Sequence, residues 1–198
     1  MGADGKTRVG ILISGRGSNM ASLIEAAKAP EFPAEIALVL SNRPGAGGLA
    51  RAEAEGIRTA VVDHKLFPDR ASFDAEVGRV FDEAGIELIC LAGFMRILSD
   101  SFVEARLGRM LNIHPSLLPS FKGLHPHRQA LEAGVRIHGC TVHFVVPELD
   151  SGPIVAQAAV PVLPGDTEDE LAARVLGEEH RLYPLGLELV ATGAARLE

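Results

Sequence analysis

The chain has 198 residues, which fits one large domain or two small ones and suffices for a substantial hydrophobic core. Its 19 Lys and Arg residues against 26 Asp and Glu residues give a net charge of −7, which argues against broad nucleic-acid binding. A hydrophobic content of 47% with 23% charged residues excludes a disordered chain.

No targeting or membrane-spanning segment is evident in the sequence. The segment from Met1 to Arg8 is polar, and the most apolar stretch, Leu88 to Met95, is far shorter than the ~20 residues a bilayer helix needs. Cys90 and Cys140 lie far apart in apolar runs, which is typical of buried, reduced thiols. We therefore expect a cytoplasmic protein without membrane association.

Strands and helices alternate through the first part of the chain. The run Val9–Ile13 is continuous, apolar and β-branched, which is typical of a strand covered on both faces of a parallel sheet. Further strands are predicted at Glu35–Ser41, Thr59–Val62, Leu88–Ala92 and Met110–Ile113. Helices are predicted at Met20–Lys28, Gly48–Glu55, Ser72–Ala84, and from a cap at Ser99 to about Arg106.

The alternation of strands and helices stops after residue 114, where prolines and glycines indicate a long ordered loop. A short helix at Arg128–Glu132, strands at His138–Val146 and Ile154–Val162, and a last helix after Thr167 to about Tyr183 are predicted next. The whole pattern predicts one domain over residues 1–198 with a Rossmann-like α/β fold. Its open, twisted sheet is mostly parallel with helices on both faces, and its C-terminal part adds an antiparallel strand.

The first predicted strand ends in a glycine loop, Ser14 to Asn19, that leads into a helix. Backbone N–H groups at such a helix start bind anions well, so a phosphate site and a plain tight turn both fit. The loop is not a dinucleotide fingerprint, because Met20 occupies the place of the third glycine.

Two polar side chains, Asn112 and His114, alternate near the end of the fifth predicted strand and so point to one face. Asn offers an amide donor to a developing oxyanion, and His offers a proton near neutral pH. Asp150 lies in a distant turn, where a local Asx-turn is the simpler interpretation. If that turn folds over the strand, its carboxylate would orient His114 and favour the charged ring.

A metal site is the competing interpretation of the histidines. His125 and His127 resemble a ligand pair, but no HExxH motif and no cysteine pair accompany them. His138 and His143 are an odd number of residues apart in a predicted strand, so they point to opposite faces. We therefore predict no metal.

Five segments together resemble the phosphoribosylglycinamide formyltransferases, the folate-dependent glycinamide ribonucleotide transformylases of purine synthesis. They are Ser14–Asn19, Ala92–Leu98, Leu111–Pro119 (Leu-Asn-Ile-His-Pro-Ser-Leu-Leu-Pro), Gly123–His125 and Glu148–Pro153. The third segment is typical of formyl-tetrahydrofolate hydrolases and transferases as a group, and the glycine loop narrows the resemblance to the nucleotide substrate.

The resemblance implies a role for each group of site residues. Asn112, His114 and Asp150 would be catalytic. The phosphoribosyl end of the substrate would contact Gly17, Ser18, Asn19, Met20, Ala21 and Glu179. The 10-formyltetrahydrofolate co-substrate would contact Arg70, Met95, Arg96, Ile97, Leu98, Asn112, Pro147, Glu148, Leu149, Ser151 and Gly152. Relatives often carry Gln three residues before the Glu that matches Glu179, whereas this chain has Leu176.

The implied partners are glycinamide ribonucleotide and 10-formyltetrahydrofolate, bound by a monomer or homodimer without nucleic acid. Two related activities remain as alternatives: formyltetrahydrofolate deformylase and methionyl-tRNA formyltransferase. The acidic charge and the end of the chain at Glu198 lead us to expect no C-terminal tRNA-binding domain, and the start of the first strand at Val9 leads us to expect no N-terminal regulatory domain. A non-catalytic nucleotide-binding module is the alternative from another class.

Overall fold

Seven strands form a single sheet in the computed structural model, which describes residues 5–197. The strands are β1 (Thr7–Ile13), β2 (Ala34–Ser41), β3 (Thr59–Val61), β4 (Leu88–Leu91), β5 (Met110–His114), β6 (Ile137–Phe144) and β7 (Ile154–Pro161). Their order across the sheet is β3-β2-β1-β4-β5-β6-β7. The first five strands are parallel, whereas β6 runs antiparallel to both β5 and β7. The predicted mostly parallel sheet with an antiparallel C-terminal part is confirmed.

Helices cover both faces of this sheet. They are α1 (Ser18–Ala27), α2 (Gly47–Ala54), α3 (Arg70–Glu83), α4 (Asp100–Glu104), α5 (Pro126–Glu132) and α6 (Glu168–Ala191), with a 3₁₀ turn at His64–Leu66. Apolar side chains of α1, α2 and α6 pack on one face, and those of α3 and α4 pack on the other. Among residues 5–197, no helix is both long and apolar enough to cross a membrane.

The last helix is longer than predicted, because α6 continues past Pro184 to Ala191. Proline removes one intrahelical hydrogen bond, but Leu182, Tyr183 and Leu187 around it are buried against the sheet. At Gly186 the helix lies so close to β6 that an added Cβ would come within 2.7 Å of a Val142 methyl group. Packing therefore outweighs the local signal for a helix end.

The start of α4 also differs from the prediction. Ser99 occupies the N-cap position, but its hydroxyl makes no capping hydrogen bond. Its backbone N–H instead donates to the Asp74 carboxylate on α3, at 2.6 Å, and the helix ends at Glu104 rather than near Arg106. The start of α4 is therefore held by a hydrogen bond to α3, whereas the sequence predicts a local cap from the Ser99 hydroxyl.

Candidate active site

The sheet contains a topological switch point between β1 and β4. The chain leaves β1 toward β2 on one side and returns through β4 toward β5 on the other, so the two following loops diverge. In open α/β sheets, the crevice between such loops is the usual ligand site. Here a pocket of about 190 Å³ is lined by Gly15, Arg16, Gly17, Ser18, Asn19, Ala92 and Gly93.

The glycine loop forms the first turn of α1 rather than only preceding it. Gly17 is the N-cap residue in the left-handed region, with φ 67°, and the helix begins at Ser18, earlier than the predicted Met20. The N–H groups of a helix's first turn have no partner inside the helix, so those of Ser18, Asn19 and Met20 are the donors available to an anion. The Ala21 N–H already donates to the Gly17 carbonyl at 3.0 Å.

Asn19 and Glu179 are distant in sequence and meet beside this loop. The Asn19 amide nitrogen donates to the Glu179 carboxylate at 2.8 Å, and Glu179 is only 6% exposed. Burial raises the pKa of Glu179, while the Asn19 hydrogen bond partly opposes that shift. Among the described residues, the buried Asn19 Oδ1 has no hydrogen-bond partner. The pair is thus a polar wall with unused hydrogen-bonding capacity next to the anion-binding turn.

The end of β5 brings His114 to Asp150. His114 Nδ1 lies 3.5 Å from the Asp150 carboxylate, and both side chains are more than nine-tenths buried. On its other side, the ring donates from Nε2 to the Phe121 carbonyl at 2.9 Å. Both neighbours are acceptors, so the ring donates to both only when each nitrogen carries a proton. The Asp150 carboxylate and the Phe121 carbonyl therefore hold the His114 ring from its two sides.

Asn112 is connected to Asp150 through His143, a residue that was not predicted to belong to the site. Its amide nitrogen lies 3.2 Å from His143 Nε2, and the same ring nitrogen is 3.9 Å from Asp150. Asn112 and His143 are opposite each other in the antiparallel β5–β6 pairing. Only the register of β5 against β6 indicates that His143 lies beside Asn112, and the sequence alone does not give that register.

The turn that carries Asp150 is held over β5 by a second loop. Asp150 itself has φ 48°, and the Gly123 N–H donates to its carboxylate at 2.9 Å. Lys122 donates to the Ser151 hydroxyl at 2.6 Å. Phe121 and His125 of the second loop also have positive φ, at 57° and 56°. Such backbone angles outside glycine are uncommon and are typical of functional sites.

The residues predicted to bind folate differ widely in their exposure to solvent. Met95, Ile97 and Leu149 are 66%, 57% and 55% exposed, an unusual degree for large apolar side chains, and they lie in the loops after β4 and after β6. Leu98, by contrast, is 6% exposed and packs in the core beneath them. Pro147 and Glu148 are exposed, Ser151 is half-buried and Gly152 is buried.

The two predicted basic residues of the folate site lie on the α3 side of these loops. The Arg96 guanidinium lies over the Phe73 ring, 5.3 Å from its centroid, and the buried Arg96 Nε has no hydrogen-bond partner in the described chain. Arg70 is exposed at the first position of α3, one turn before Phe73.

A buried serine links the two ligand-facing loops and was missed as a site residue. The Ser14 hydroxyl donates to Asn42 at 2.7 Å and accepts from the Met95 N–H at 2.9 Å. It therefore ties the ends of β1 and β2 to the loop after β4. A serine directly after an apolar strand was the only local signal for this role.

The histidines of the predicted ligand pair have other surroundings. His127 Nδ1 lies 3.2 Å from His138 Nε2, whereas His125 is exposed. Within residues 5–197, no group of three His, Cys, Asp or Glu side chains is arranged to hold a metal ion. His138 and His143 contact different partners, as their predicted opposite faces require.

The chain is similar in sequence to a family of formyl transferases and to curated proteins of purine biosynthesis. A family model described as formyl transferase matches residues 7–187. The phosphoribosylglycinamide formyltransferase of Escherichia coli is 47% identical over 187 residues, which are 94% of this chain and 88% of that protein. The trifunctional purine biosynthetic protein adenosine-3 of Gallus gallus is 55% identical over 192 residues, but the chain spans only 19% of its length.

Solved structures agree with these sequence relatives. The phosphoribosylglycinamide formyltransferase of Brucella melitensis matches with a TM-score of 0.90 and 56% identity over 94% of this chain and 96% of that one. Glycinamide ribonucleotide transformylase 1 of Symbiobacterium toebii matches with a TM-score of 0.92 and 46% identity over 95% of this chain and 89% of that one. The fold, the matched motifs and these relatives lead to one conclusion: the chain belongs to the formyl transferase family.

Proposed function

We propose that this protein transfers the formyl group of 10-formyltetrahydrofolate to the amine of glycinamide ribonucleotide. The products are formylglycinamide ribonucleotide and tetrahydrofolate, in a step of de novo purine biosynthesis. One observation carries the proposal. The Asn112, His114 and Asp150 side chains converge at the end of β5, in the same sheet edge as the anion-binding turn before α1.

The substrate's phosphate fits the start of α1, where Ser18, Asn19 and Met20 offer backbone donors and the helix dipole favours negative charge. Gly17 lets the backbone turn there, and Ala21 supports it through its bond to the Gly17 carbonyl. Glu179 would accept hydrogen bonds from the ribose hydroxyls. Leu176 is half-buried and offers no side-chain hydrogen bond, so Glu179 and Asn19 carry the polar recognition here.

The folate would lie between the two loops that expose Met95, Ile97 and Leu149. Their apolar surface suits the faces of a flat aromatic ring, while the backbone of Arg96–Leu98 and of Pro147–Gly152 offers polar groups to its edge. Arg70 and Arg96 would attract the carboxylates of the folate tail. Burial of Leu98 assigns its side chain to supporting the pocket, with only its backbone facing the folate.

In the reaction, the amine nitrogen attacks the formyl carbon and negative charge develops on the formyl oxygen. The Asn112 amide and the charged His114 would stabilise this oxyanion, with His114 exchanging the Phe121 carbonyl for it. Asp150 would accept the proton that the attacking amine loses. Collapse of the intermediate breaks the bond to the folate nitrogen, and Asp150 would pass the proton it accepted to that nitrogen, directly or through water. The formyl group is already activated on the folate, so the mechanism requires no metal.

The direct test is an absorbance assay of folate product formed by the purified protein from 10-formyltetrahydrofolate. We expect product only when glycinamide ribonucleotide is added. Release of formate without that substrate would instead favour a deformylase, and transfer to aminoacylated tRNA would favour a methionyl-tRNA formyltransferase. Calorimetric binding of both ligands without turnover would favour a non-catalytic nucleotide-binding module. We expect the active protein to be a cytoplasmic monomer or homodimer.

A further inference from the structure

Resting on the proposed formyl transfer, we propose that His143 is a positioning residue that fixes the orientation of the Asn112 amide. His143 would not contact either substrate. It would instead determine which edge of the Asn112 side chain faces the developing oxyanion. Nothing in the mechanism above assigns it a role, although it is one of the buried polar residues nearest to the reacting groups.

The two side chains meet because of the strand pairing. Asn112 and His143 are direct cross-strand partners of β5 and β6, and side chains in such pairs lie on the same face in contact. A register irregularity between Val142 and His143 lies in the pairing of β6 with β7. Bulges of this kind re-aim side chains near active sites. The resulting distance from Asn112 Nδ2 to His143 Nε2 is 3.2 Å.

The second ring nitrogen defines what His143 does to Asn112. His143 Nδ1 lies 2.9 Å from the Phe144 carbonyl oxygen, which only accepts hydrogen bonds, so Nδ1 carries the proton. In a neutral ring, Nε2 is then an acceptor. Asn112 must turn its NH₂ group toward Nε2, because its carbonyl oxygen there would face another lone pair.

Burial keeps the ring in this neutral form. His143 is 3% exposed, and its desolvation lowers its pKa, helped by the nearby charges of His114 and Lys122. The Phe144 carbonyl and the Asp150 carboxylate raise the pKa of His143, but each has a smaller effect than desolvation, and the net direction is a lowered pKa. Around neutral pH, His143 is therefore an acceptor for Asn112 and not a competing donor.

The consequence concerns the transition state more than substrate binding. With its NH₂ group held at His143, Asn112 keeps its second N–H for the substrate oxygen. Without that anchor, the amide turns freely and presents its own oxygen to the oxyanion part of the time. A preorganised donor strengthens as charge develops, so its loss lowers kcat and leaves KM nearly unchanged.

The test compares His143→Leu, which has no acceptor, with His143→Gln, whose amide oxygen reaches about the position of Nε2. We expect His143→Leu to lower kcat by about 10- to 100-fold, with both KM values within about threefold of the wild type. His143→Gln should recover most of that loss. If His143→Leu does not fold, the kcat of His143→Gln against that of His143→Ala gives the same comparison.

A double-mutant cycle with Asn112→Ala separates positioning from loss of stability. When Asn112 is already alanine, His143→Leu should lower kcat by less than about threefold, because no amide remains to be oriented. Phe81→Leu, a change in the apolar core beside Gly10 of β1, is the control: it should lower Tm by several degrees with kcat within about twofold.

Equal effects of His143→Leu in the presence and absence of Asn112 would overturn the proposal, as would a wild-type kcat in His143→Leu. Both results differ from a failure of the proposed function. In that case the wild-type protein itself would form no product from glycinamide ribonucleotide and 10-formyltetrahydrofolate.

Discussion

At the scale of single residues, Asn112 is the side chain whose role is most sharply limited by its surroundings. It is half-buried at the end of β5, its amide nitrogen lies 3.2 Å from His143 Nε2, and the proposed mechanism gives its second N–H to the substrate oxygen. Its contribution is therefore to donate, and its shape matters less than its amide.

Asn112→Ala should lower kcat for formyl transfer by roughly 10²- to 10³-fold, the usual effect of losing one oxyanion donor. The KM for glycinamide ribonucleotide should change little, since the phosphate and ribose groups bind elsewhere. Steady-state kinetics with both substrates measure this directly. A kcat within threefold of the wild type would remove Asn112 from the mechanism.

Glu179 carries a buried carboxylate that lowers stability at neutral pH, whereas the proposed function needs its charge to bind the ribose hydroxyls. Its raised pKa means that the folded protein holds the proton more tightly than the unfolded chain does. Its contribution to stability is therefore fully present below the ordinary Glu pKa of 4.5, and it is lost as pH rises through the raised folded-state value. At neutral pH the buried carboxylate lowers the free energy of unfolding.

Glu179→Gln should consequently raise Tm by a few degrees at pH 8, and this gain should disappear near pH 4. The Gln amide oxygen still accepts from Asn19, so the local packing is retained. The same variant should bind glycinamide ribonucleotide about tenfold more weakly, because a charged acceptor has become neutral. Thermal scans across pH, paired with calorimetry, check both parts; a Tm below the wild type at pH 8 would contradict the first.

At the scale of elements, the loop between β6 and β7 is the part of the site most dependent on close packing. A Cβ added to Gly152 would collide with the Phe144 carbonyl, so only glycine lets the loop fold back beside β6. That contact fixes the path of the chain two residues after Asp150. The Asp150 carboxylate is thus positioned by backbone packing as well as by its bond from Gly123.

Gly152→Ala should therefore lower both Tm and kcat, the latter by about tenfold or more, since small displacements of a catalytic group are costly. Gly139→Ala is a matched control, because its Cβ would also collide with a backbone carbonyl, that of Ala158 in the β6–β7 pair. It should lower Tm similarly but lower kcat less. Equal losses of kcat in the two variants would contradict a positional role for the loop.

The order and type of the strands and helices could be predicted from the sequence because buried parallel strands and amphipathic helices have distinct apolar patterns. The ends of elements were predicted less well, and for physical reasons. α6 continues through Pro184 because long-range packing on β6 outweighs one lost hydrogen bond. Ser99 is the N-cap residue of α4 as predicted, but its hydroxyl makes no capping bond, and its N–H donates to a carboxylate on another helix.

At the scale of the whole molecule, the sheet order explains how segments far apart in sequence form one site. The switch point between β1 and β4 opens the pocket beside the glycine loop, and β5 follows β4 directly, which brings Asn112 next to that opening. α6 packs against α1 and carries Glu179 to Asn19. One sheet edge therefore carries the helix start proposed to bind the phosphate, the Asn19–Glu179 pair and the three proposed catalytic residues.

The site residues that could be predicted from the sequence are mainly those that lie in a recognisable sequence motif. Asn112, His114 and Asp150 were selected before the fold was known, and His114 and Asp150 lie 3.5 Å apart in the structure. His143, Ser14 and the Phe121 carbonyl were missed, because their roles depend on strand register and on a loop closing over β5. Contacts between residues so far apart in sequence leave no local pattern. The assignment of residues 1–198 to one domain remains a prediction.

The central claim is that the Asn112, His114 and Asp150 centre moves a formyl group to an amine. A single-turnover experiment with ¹³C-labelled 10-formyltetrahydrofolate and glycinamide ribonucleotide, followed by mass spectrometry, tests it most directly. The wild-type protein should transfer the label to the amine, whereas Asp150→Asn should bind both substrates and transfer it at least about 100-fold more slowly. Label recovered as formate with the wild type, or full transfer by Asp150→Asn, would contradict the account.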